Sequence, residues 1–320
     1  MKKPLIILTG PTAVGKTALS IGLAKALDGE IISADSMQVY RHMDIGSAKV
    51  TKEEMEGIPH HLIDVLEPEE EFNVTRFQAM AKEALAGIYG RGHVPIVTGG
   101  TGFYIQALLY DIDFKENDGG GAIREELERL GEEKGSEYLH QMLAGVDPES
   151  ARLIHANNRK RVIRAIEYYR LTGERISDHN REEHEKPSPY RAYYYVLNCE
   201  RSLLYERIDR RVDMMMEQGL IEEVKKLKAM GCTRGMVSMQ GLGYKEILDY
   251  LDGSCTLEEA VYVLKRDTRH FAKRQLTWFR RERDVRFLEL GAFDGDRQKI
   301  MEHIIGEFYE EEKEAAERGE

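Results

Sequence analysis

Cysteine is scarce in this chain. The three present, Cys199, Cys232 and Cys255, lie far apart and form no CxxC pair. Such a set excludes a disulfide framework, argues against a structural zinc and fits a reducing compartment. Long apolar runs are missing as well. The longest early one, Leu5 to Leu8, is too short for a signal-peptide core or a membrane span. The expected location is therefore cytoplasmic, with no membrane partner. Internal repeats are absent. So is a surplus of positive charge, the formal net charge being −11. That balance looks wrong for a nucleic-acid binder, but it is unevenly spread. Glu307 to Glu320 hold seven glutamates against Lys313 and Arg318, a net −5 in fourteen residues. Meanwhile Arg159-Lys160-Arg161 with Arg164, and the stretch from Lys265 to Arg283, are strongly basic. Local patches attract phosphate, not the average, so RNA stays open as a partner.

What is present is an ordinary globular composition of 320 residues, 42% hydrophobic and 32% charged, with ample apolar content for a core. The acidic end is the one stretch that reads as a candidate for disorder. Leu5-Ile6-Ile7-Leu8 reads as a buried strand, followed by a glycine turn and a helix from about Lys16 to Leu27. Further strands are expected at Glu30–Ala34, His61–Val65 and Val94–Thr98, with an amphipathic helix over Thr75–Tyr89. Strands alternating with helices predict an α/β fold, a P-loop NTPase-like parallel sheet with helices on both faces. After Asp113 the pattern changes. A glycine-rich break at Asn117–Gly121 precedes an almost wholly helical stretch from Ile123 to Tyr169. Tyr193–Asn198 rejoins the sheet and Val285–Leu290 ends it. The expected division is 1–114 as the first part of the α/β core, 115–190 as a mostly helical insertion, and 191–320 as the rest of the core.

Gly10-Pro11-Thr12-Ala13-Val14-Gly15-Lys16-Thr17 matches GxxxxGK[ST] directly after a strand and opening a helix. Glycines let successive N–H groups curl inward, and the helix N-terminus adds partial positive charge. Lys16 supplies a point charge to phosphate oxygens, and the Thr17 hydroxyl suits Mg²⁺. The loop thus speaks for phosphate without fixing the reaction. Asp35 ends the second strand and should face the loop, since ligands of open α/β sheets bind beyond the carboxyl strand ends. There it can act as a general base, or simply cap a helix with Ser36. Asp64 reads as a turn or capping residue before a metal ligand. His60 and His61 have no partner at metal-ligand spacing. Gly99-Gly100-Thr101-Gly102 occupies the same sheet edge, where Thr101 either hydrogen-bonds a reacting group or sits in a plain tight turn.

Basic segments recur further on. A helix over about Leu257–Arg283 places Arg266, Arg269, Lys273 and Arg280 near one face, and Leu264, Phe271 and Trp278 on another. Such a face is usually only solvated, but Gln275 could read base edges and arginine planes could stack bases. Trp278 suits core better than a stacking platform. Arg159, Lys160, Arg161 and Arg164 make a compact patch for backbone phosphates.

In order along the chain, GPTAVGKT, Ser33–Tyr40 (SADSMQVY), Gly99–Tyr104 (GGTGFY), Asn158–Ala165 (NRKRVIRA), Ser238–Glu246 (SMQGLGYKE) and Lys273–Arg280 (KRQLTWFR) resemble the tRNA dimethylallyltransferases, or tRNA isopentenyltransferases. The resemblance runs from residue 5 to about 290. It implies transfer of a dimethylallyl group from dimethylallyl diphosphate to the exocyclic amine of the adenosine beside the tRNA anticodon. The P-loop, Gly10 to Thr17, would hold the donor's diphosphate, although ATP would also fit, with Mg²⁺ as cofactor on Thr17. By the same resemblance Asp35 is the base, and Lys16 and Thr101 serve catalysis. Contacts to the anticodon stem-loop are implied for Asp35, Ser36, Met37, Gln38, Thr101, Arg124 and Arg159-Lys160-Arg161-Val162-Ile163. They are implied also for Gln240, Gly241, Gly243, Tyr244, Lys245, Lys273, Arg274, Gln275, Trp278 and Arg280. Residues 115–121 (KENDGGG) depart from the pattern, since a proline-containing entry to the insertion would be expected there. A monomer is expected.

The chemistry is coherent on its own terms. An allylic diphosphate leaves readily once its developing charge is stabilised, and a carboxylate accepting a proton answers the weak nucleophilicity of an aromatic amine. The target base must leave its stack, which costs least in a loop. Two other readings use the same loop. One is a small-molecule kinase with ATP bound, which gives no role to three basic segments. The other is a nucleotide-gated RNA-binding module without catalysis.

Overall fold

A computed structural model describes residues 2–114 and 120–319. The chain divides into two compact units, Met1–Leu109 with Pro189–Glu320, and Tyr110–Ser188. Of the stretch 115–121 that departs from the family pattern, 115–119 lie outside the described residues, whereas Gly120 and Gly121, expected in the break, begin a helix.

The first unit begins with β1 (Lys3–Thr9), α1 (Lys16–Ala26), β2 (Gly29–Ser33), α2 (Lys52–Met55), β3 (His60–His61), α3 (Val74–Arg91), β4 (Val94–Gly99) and α4 (Gly102–Leu109). The second unit holds α5 (Gly120–Lys134), α6 (Ser136–Val146), α7 (Pro148–Leu153), α8 (Arg159–Thr172) and α9 (Ile176–Glu185). The chain then returns through β5 (Tyr190–Asn198), α10 (Arg201–Glu217), α11 (Leu220–Ala229), α12 (Tyr244–Leu251), α13 (Leu257–Phe279), β6 (Val285–Glu289) and α14 (Arg297–Arg318).

The six strands make one sheet in the order β3-β2-β4-β1-β5-β6, every pair parallel. β1 lies inside it, which is why Leu5 to Leu8 are unbroken apolar residues with at most 1% exposure. A strand covered on both faces needs no alternation. Ile6 and Leu8 join the cluster formed by Leu19 and Leu23 of α1 with Ile300, Ile304 and Phe308 of α14. Register places Thr9 beside Gly99 and Ser33 beside Thr98, so the loops after β1, β2 and β4 emerge side by side.

Two expectations change. The strand foreseen at His61–Val65 stops at His61, because Leu62 and Asp64 take left-handed backbone angles, φ 62° and 53°, that no strand continues through. The acidic end is ordered helix. Arg191 holds Glu312 through two bonds of 2.6 Å, with Tyr193 Oη donating to the same carboxylate at 2.6 Å. Arg286 reaches Glu307 at 3.0 Å and Glu311 at 2.6 Å. The glutamates that look like surplus charge therefore fasten α14 to β5 and β6.

In the helical unit, Leu127, Leu139, Leu143, Val162, Ile163 and Ile166 form the core. Asp147 caps α7 and α9 together. Its carboxylate accepts the Ser150 and Ser177 N–H groups at 2.9 and 3.0 Å and both serine hydroxyls at 2.7 Å. Burial would raise its pKa, but these four bonds override that and hold it below the usual aspartate value.

Candidate active site

The loop after β1 turns at Gly10, whose φ of 145° is open to glycine alone; a Cβ there would also lie 2.5 Å from the Leu197 carbonyl oxygen of β5. Gly15 repeats the positive φ, at 108°, and α1 starts at Lys16. The Lys16 ammonium folds over the loop and donates to the carbonyls of Gly10 and Pro11, each at 2.9 Å. Burial pushes its pKa from 10.5 down to about 7. Arg211 adds repulsion, and the Asp35 charge opposes both. Thr17 stands exposed on the first turn of α1.

Arg211 belongs to α10 and went unforeseen. Burial lowers its pKa, against the pull of Asp35 and then Glu54. One turn earlier, Arg207 donates to the Val14 carbonyl at 3.5 Å. The opposite spacing on the same helix pairs Asp209 with Arg269 at 2.5 Å and Asp213 with Lys265 at 2.6 Å. Thus α10 offers arginines to the phosphate loop and aspartates to α13. The run Arg207-Ile-Asp-Arg-Arg211-Val-Asp213 carried that signal in its i, i+4 periodicity.

Asp35 lies just past β2, after Ala34. Its Oδ1 accepts the N–H of Met37 at 2.8 Å and of Gln38 at 3.3 Å. These bonds close a turn rather than cap a helix, since none follows before Lys52, and among the described residues no donor occupies Oδ2. Gln38 is oriented by the Ser47 and Ala48 carbonyls at 3.5 and 3.3 Å and by the Ser33 hydroxyl at 3.4 Å. The Thr101 N–H donates to the Ala34 carbonyl at 3.2 Å, which seats Thr101 beside Asp35. Ser36 and Met37 are half-buried, and the Met37 side chain lies against Gly241.

Asp64 sits in a turn at a φ of 53°, and its Oδ1 accepts from the buried Lys49 ammonium at 2.5 Å. His61 Nε2 lies 2.6 Å from Glu30, whose carboxylate Arg91 and then His61 hold down at about 2 despite burial.

Several residues expected on RNA are placed elsewhere. Val162 and Ile163 are 0% and 5% exposed, inside the helical core, because the apolar stripe of α8 must bury them. Tyr244 is fully buried; its hydroxyl donates to Glu223 at 2.8 Å and accepts the Ser47 N–H at 3.1 Å. Gly243 is buried beside it. Glu223, also unforeseen, accepts the N–H groups of Asp44, Ile45 and Gly46 at 2.7–3.0 Å. Gln275 is buried, its amide spent on backbone: Oε1 accepts the Thr12 N–H at 2.9 Å and Nε2 donates to the Gly100 carbonyl at 3.0 Å. Arg124 and Arg164 share the buried Glu167 at 2.8 and 3.1 Å, and Arg159 donates to the Glu128 carbonyl at 2.9 Å.

What remains open to a polyanion is narrower. Lys160 and Arg161 are exposed on α8 with no acidic partner among the described residues. Arg266 is engaged by Asp267 and Arg269 by Asp209, so of the expected basic face Lys273 and Arg280 remain, with the exposed Arg274 and Arg281 beside them at the end of α13 and just past it. Part of this surface is a depression of about 380 Å³ lined by His270, Lys273, Arg274, Thr277, Trp278 and Arg281. Trp278 is half-buried, edge-on to Phe103 at 6.2 Å. Gln240 is exposed and donates to the Arg234 carbonyl, and Lys245 lies 3.5 Å from Glu246.

This arrangement, a phosphate cradle flanked by a carboxylate and a basic helix, has close parallels. The model of the family described as IPP transferase matches residues 38–282, and that of isopentenyl transferase matches residues 3–67. A tRNA dimethylallyltransferase of Lachnoclostridium phytofermentans is 61% identical over 302 residues, 94% of this chain and 96% of its own. The chain belongs to the tRNA dimethylallyltransferase family. Among solved structures, the tRNA isopentenylpyrophosphate transferase of Bacillus halodurans is 46% identical with a TM-score of 0.73, covering 98% of this chain and 99% of that one. A eukaryotic dimethylallyltransferase captured acting on tRNA is 30% identical with a TM-score of 0.80, over 97% of this chain and 80% of its own. Membership makes this protein a prenyltransferase. No described helix is long and apolar enough to cross a membrane.

Proposed function

We propose that the protein transfers a dimethylallyl group from dimethylallyl diphosphate to the exocyclic amine of the adenosine beside the anticodon of tRNA. The observation that carries this is the meeting of the Lys16 cradle, Asp35 and Thr101 at one sheet edge, in a chain of this family. The amine nitrogen forms a bond to the terminal allylic carbon. The carbon–oxygen bond to diphosphate breaks, and the diphosphate leaves with that electron pair. Asp35 takes the amine proton through the oxygen that the Met37 and Gln38 N–H groups leave open. Lys16 and Arg211 receive the charge of the leaving group, and the repulsion between them is relieved as it arrives. Thr101 holds the base or the diphosphate from the Asp35 side.

The residues present fit Mg²⁺ only in part. Among the described residues no three His, Cys, Asp or Glu side chains gather to hold a metal. A Mg²⁺ ion would rest on the Thr17 hydroxyl, diphosphate oxygens and water, and when bound it neutralises charge on the departing diphosphate. Lys160 and Arg161 of the helical unit and Lys273, Arg274 and Arg280 of α13 supply the tRNA contacts. The protein works as a monomer in the cytoplasm.

The test is to incubate the purified protein and Mg²⁺ with unmodified tRNA and radiolabelled dimethylallyl diphosphate, then count label in precipitated RNA. Incorporation that vanishes when the adenosine beside the anticodon is replaced supports the proposal. No incorporation, with ATP consumed instead, overturns it.

A further inference from the structure

Three glycines surround Thr101, and two of them touch α13. A Cβ on Gly100 would fall 2.1 Å from Gln275 Nε2, and one on Gly102 would fall 2.2 Å from Trp278 Cδ1. Neither glycine has a positive φ, so close approach is the reason no side chain fits. Gln275 and Trp278 are three residues apart, hence neighbours on one face of α13. They flank the turn on either side of Thr101. Gln275 goes further: with 6% exposure it accepts from Thr12 in the phosphate loop and donates to Gly100 in the Thr101 turn. Residues 263 and 175 positions away in sequence are thereby fixed to one amide.

We infer that Gln275 is a positioning residue, a brace that sets the distance between the leaving-group cradle and the Thr101–Asp35 side of the site. The inference rests on the proposed transfer reaction. The amide is suited to this because only one group that both donates and accepts can serve an N–H and a carbonyl at once. The consequence is an assignment opposite to base reading. Removing the amide should disturb chemistry and donor binding while leaving tRNA affinity alone, because the RNA-facing cations Lys273, Arg274 and Arg280 are on the exposed side of the helix.

The experiment measures kcat, KM for dimethylallyl diphosphate and tRNA Kd by filter binding, for Gln275→Met and Gln275→Asn. Methionine keeps the length without the bonds, and asparagine keeps the groups without the reach. A loop displaced by a fraction of an ångström to 1 Å costs about 10- to 100-fold in rate. The expected result is a kcat loss of that size in both variants, a raised donor KM, and tRNA Kd within about two-fold of wild type. Equal loss of tRNA affinity would return Gln275 to RNA contact and overturn the inference, as would normal kinetics. Should Gln275→Met fail to fold by thermal melting, Gly100→Ala decides the matter through a cycle with Gln275→Ser. The alanine must displace the glutamine amide, so its penalty should shrink where serine leaves room. Additive losses would contradict the brace. Wild-type protein that transfers no label in the same assay would sink the functional reading instead, and the two failures are thus distinct.

Discussion

Lys16 is the residue on which the proposed function depends most and whose state pH can change directly. Its pKa lies at about 7 rather than 10.5. At about 1.4 kcal/mol per decade, the difference is at most about 5 kcal/mol held against the ammonium form. The folded value is the lower one, so between about 7 and 10.5 the unfolded chain carries a proton that the folded protein has lost. Through this group, stability rises with pH across that window, and below it the cost is fully present. A bound diphosphate should reverse the shift by supplying the missing counter-charge and draw a proton onto Lys16. Above pH 7, donor affinity should then weaken about ten-fold per pH unit. Calorimetric titration of pyrophosphate at about pH 8 to 9, in two buffers of different ionisation enthalpy, reads the proton directly. The uptake should approach one per site and disappear in Lys16→Met. Affinity that stays flat over that range, with no uptake, would refute both the depressed pKa and the role of Lys16 in holding the leaving group.

Asp35→Asn keeps an oxygen to close the turn but no base, so kcat should fall by about 10²- to 10⁴-fold with filter-binding affinity for tRNA unchanged; equal loss of both would remove Asp35 from proton transfer. In the helical unit, Ile163→Ala should cost about 2–5 kcal/mol in urea unfolding monitored by circular dichroism. By contrast, neutralising Lys160 and Arg161 should leave the melt alone and reduce the slope of log K against log salt by roughly two. An unchanged slope would exclude that patch. Asp147→Ala strands the first turns of α7 and α9 together and should destabilise by more than the roughly 1 kcal/mol of a single cap. Since its folded pKa is lowered, the wild-type contribution is present above the unfolded aspartate value and fades as pH falls through the folded one, which acid titration of the melting temperature would show.

The layout was legible where one local pattern has one structural meaning. The run Leu5–Leu8, bounded by a glycine turn, reads as a buried strand and is one, and the GxxxxGK[ST] motif after it opens a helix as that motif requires. Asp35, Thr101 and Lys16 could be placed together because all strands are parallel and their carboxyl ends share an edge. Side-chain destinations were less legible. A motif such as Lys273–Arg280 mixes exposed residues with residues facing the core, and only the helix phase separates Lys273 and Arg274 from Gln275. The same holds for Arg161 against Val162 and Ile163. Arg207 and Arg211 were hidden by their acidic neighbours, since Asp209 and Asp213 make the segment look like a solvated face until α13 and the phosphate loop are seen on opposite sides of it. Glutamates 307, 311 and 312 looked like tail charge because their partners Arg191 and Arg286 are distant in sequence.

The most direct test of the central claim couples both products in one reaction. With tRNA and dimethylallyl diphosphate as sole substrates, released pyrophosphate and prenylated adenosine, the latter by nucleoside mass spectrometry, are counted over the same time course. Equal amounts, both lost on Lys16→Met and on replacing the adenosine beside the anticodon, are the expected result. Pyrophosphate released without modified nucleoside, or modification that persists without Lys16, would contradict it.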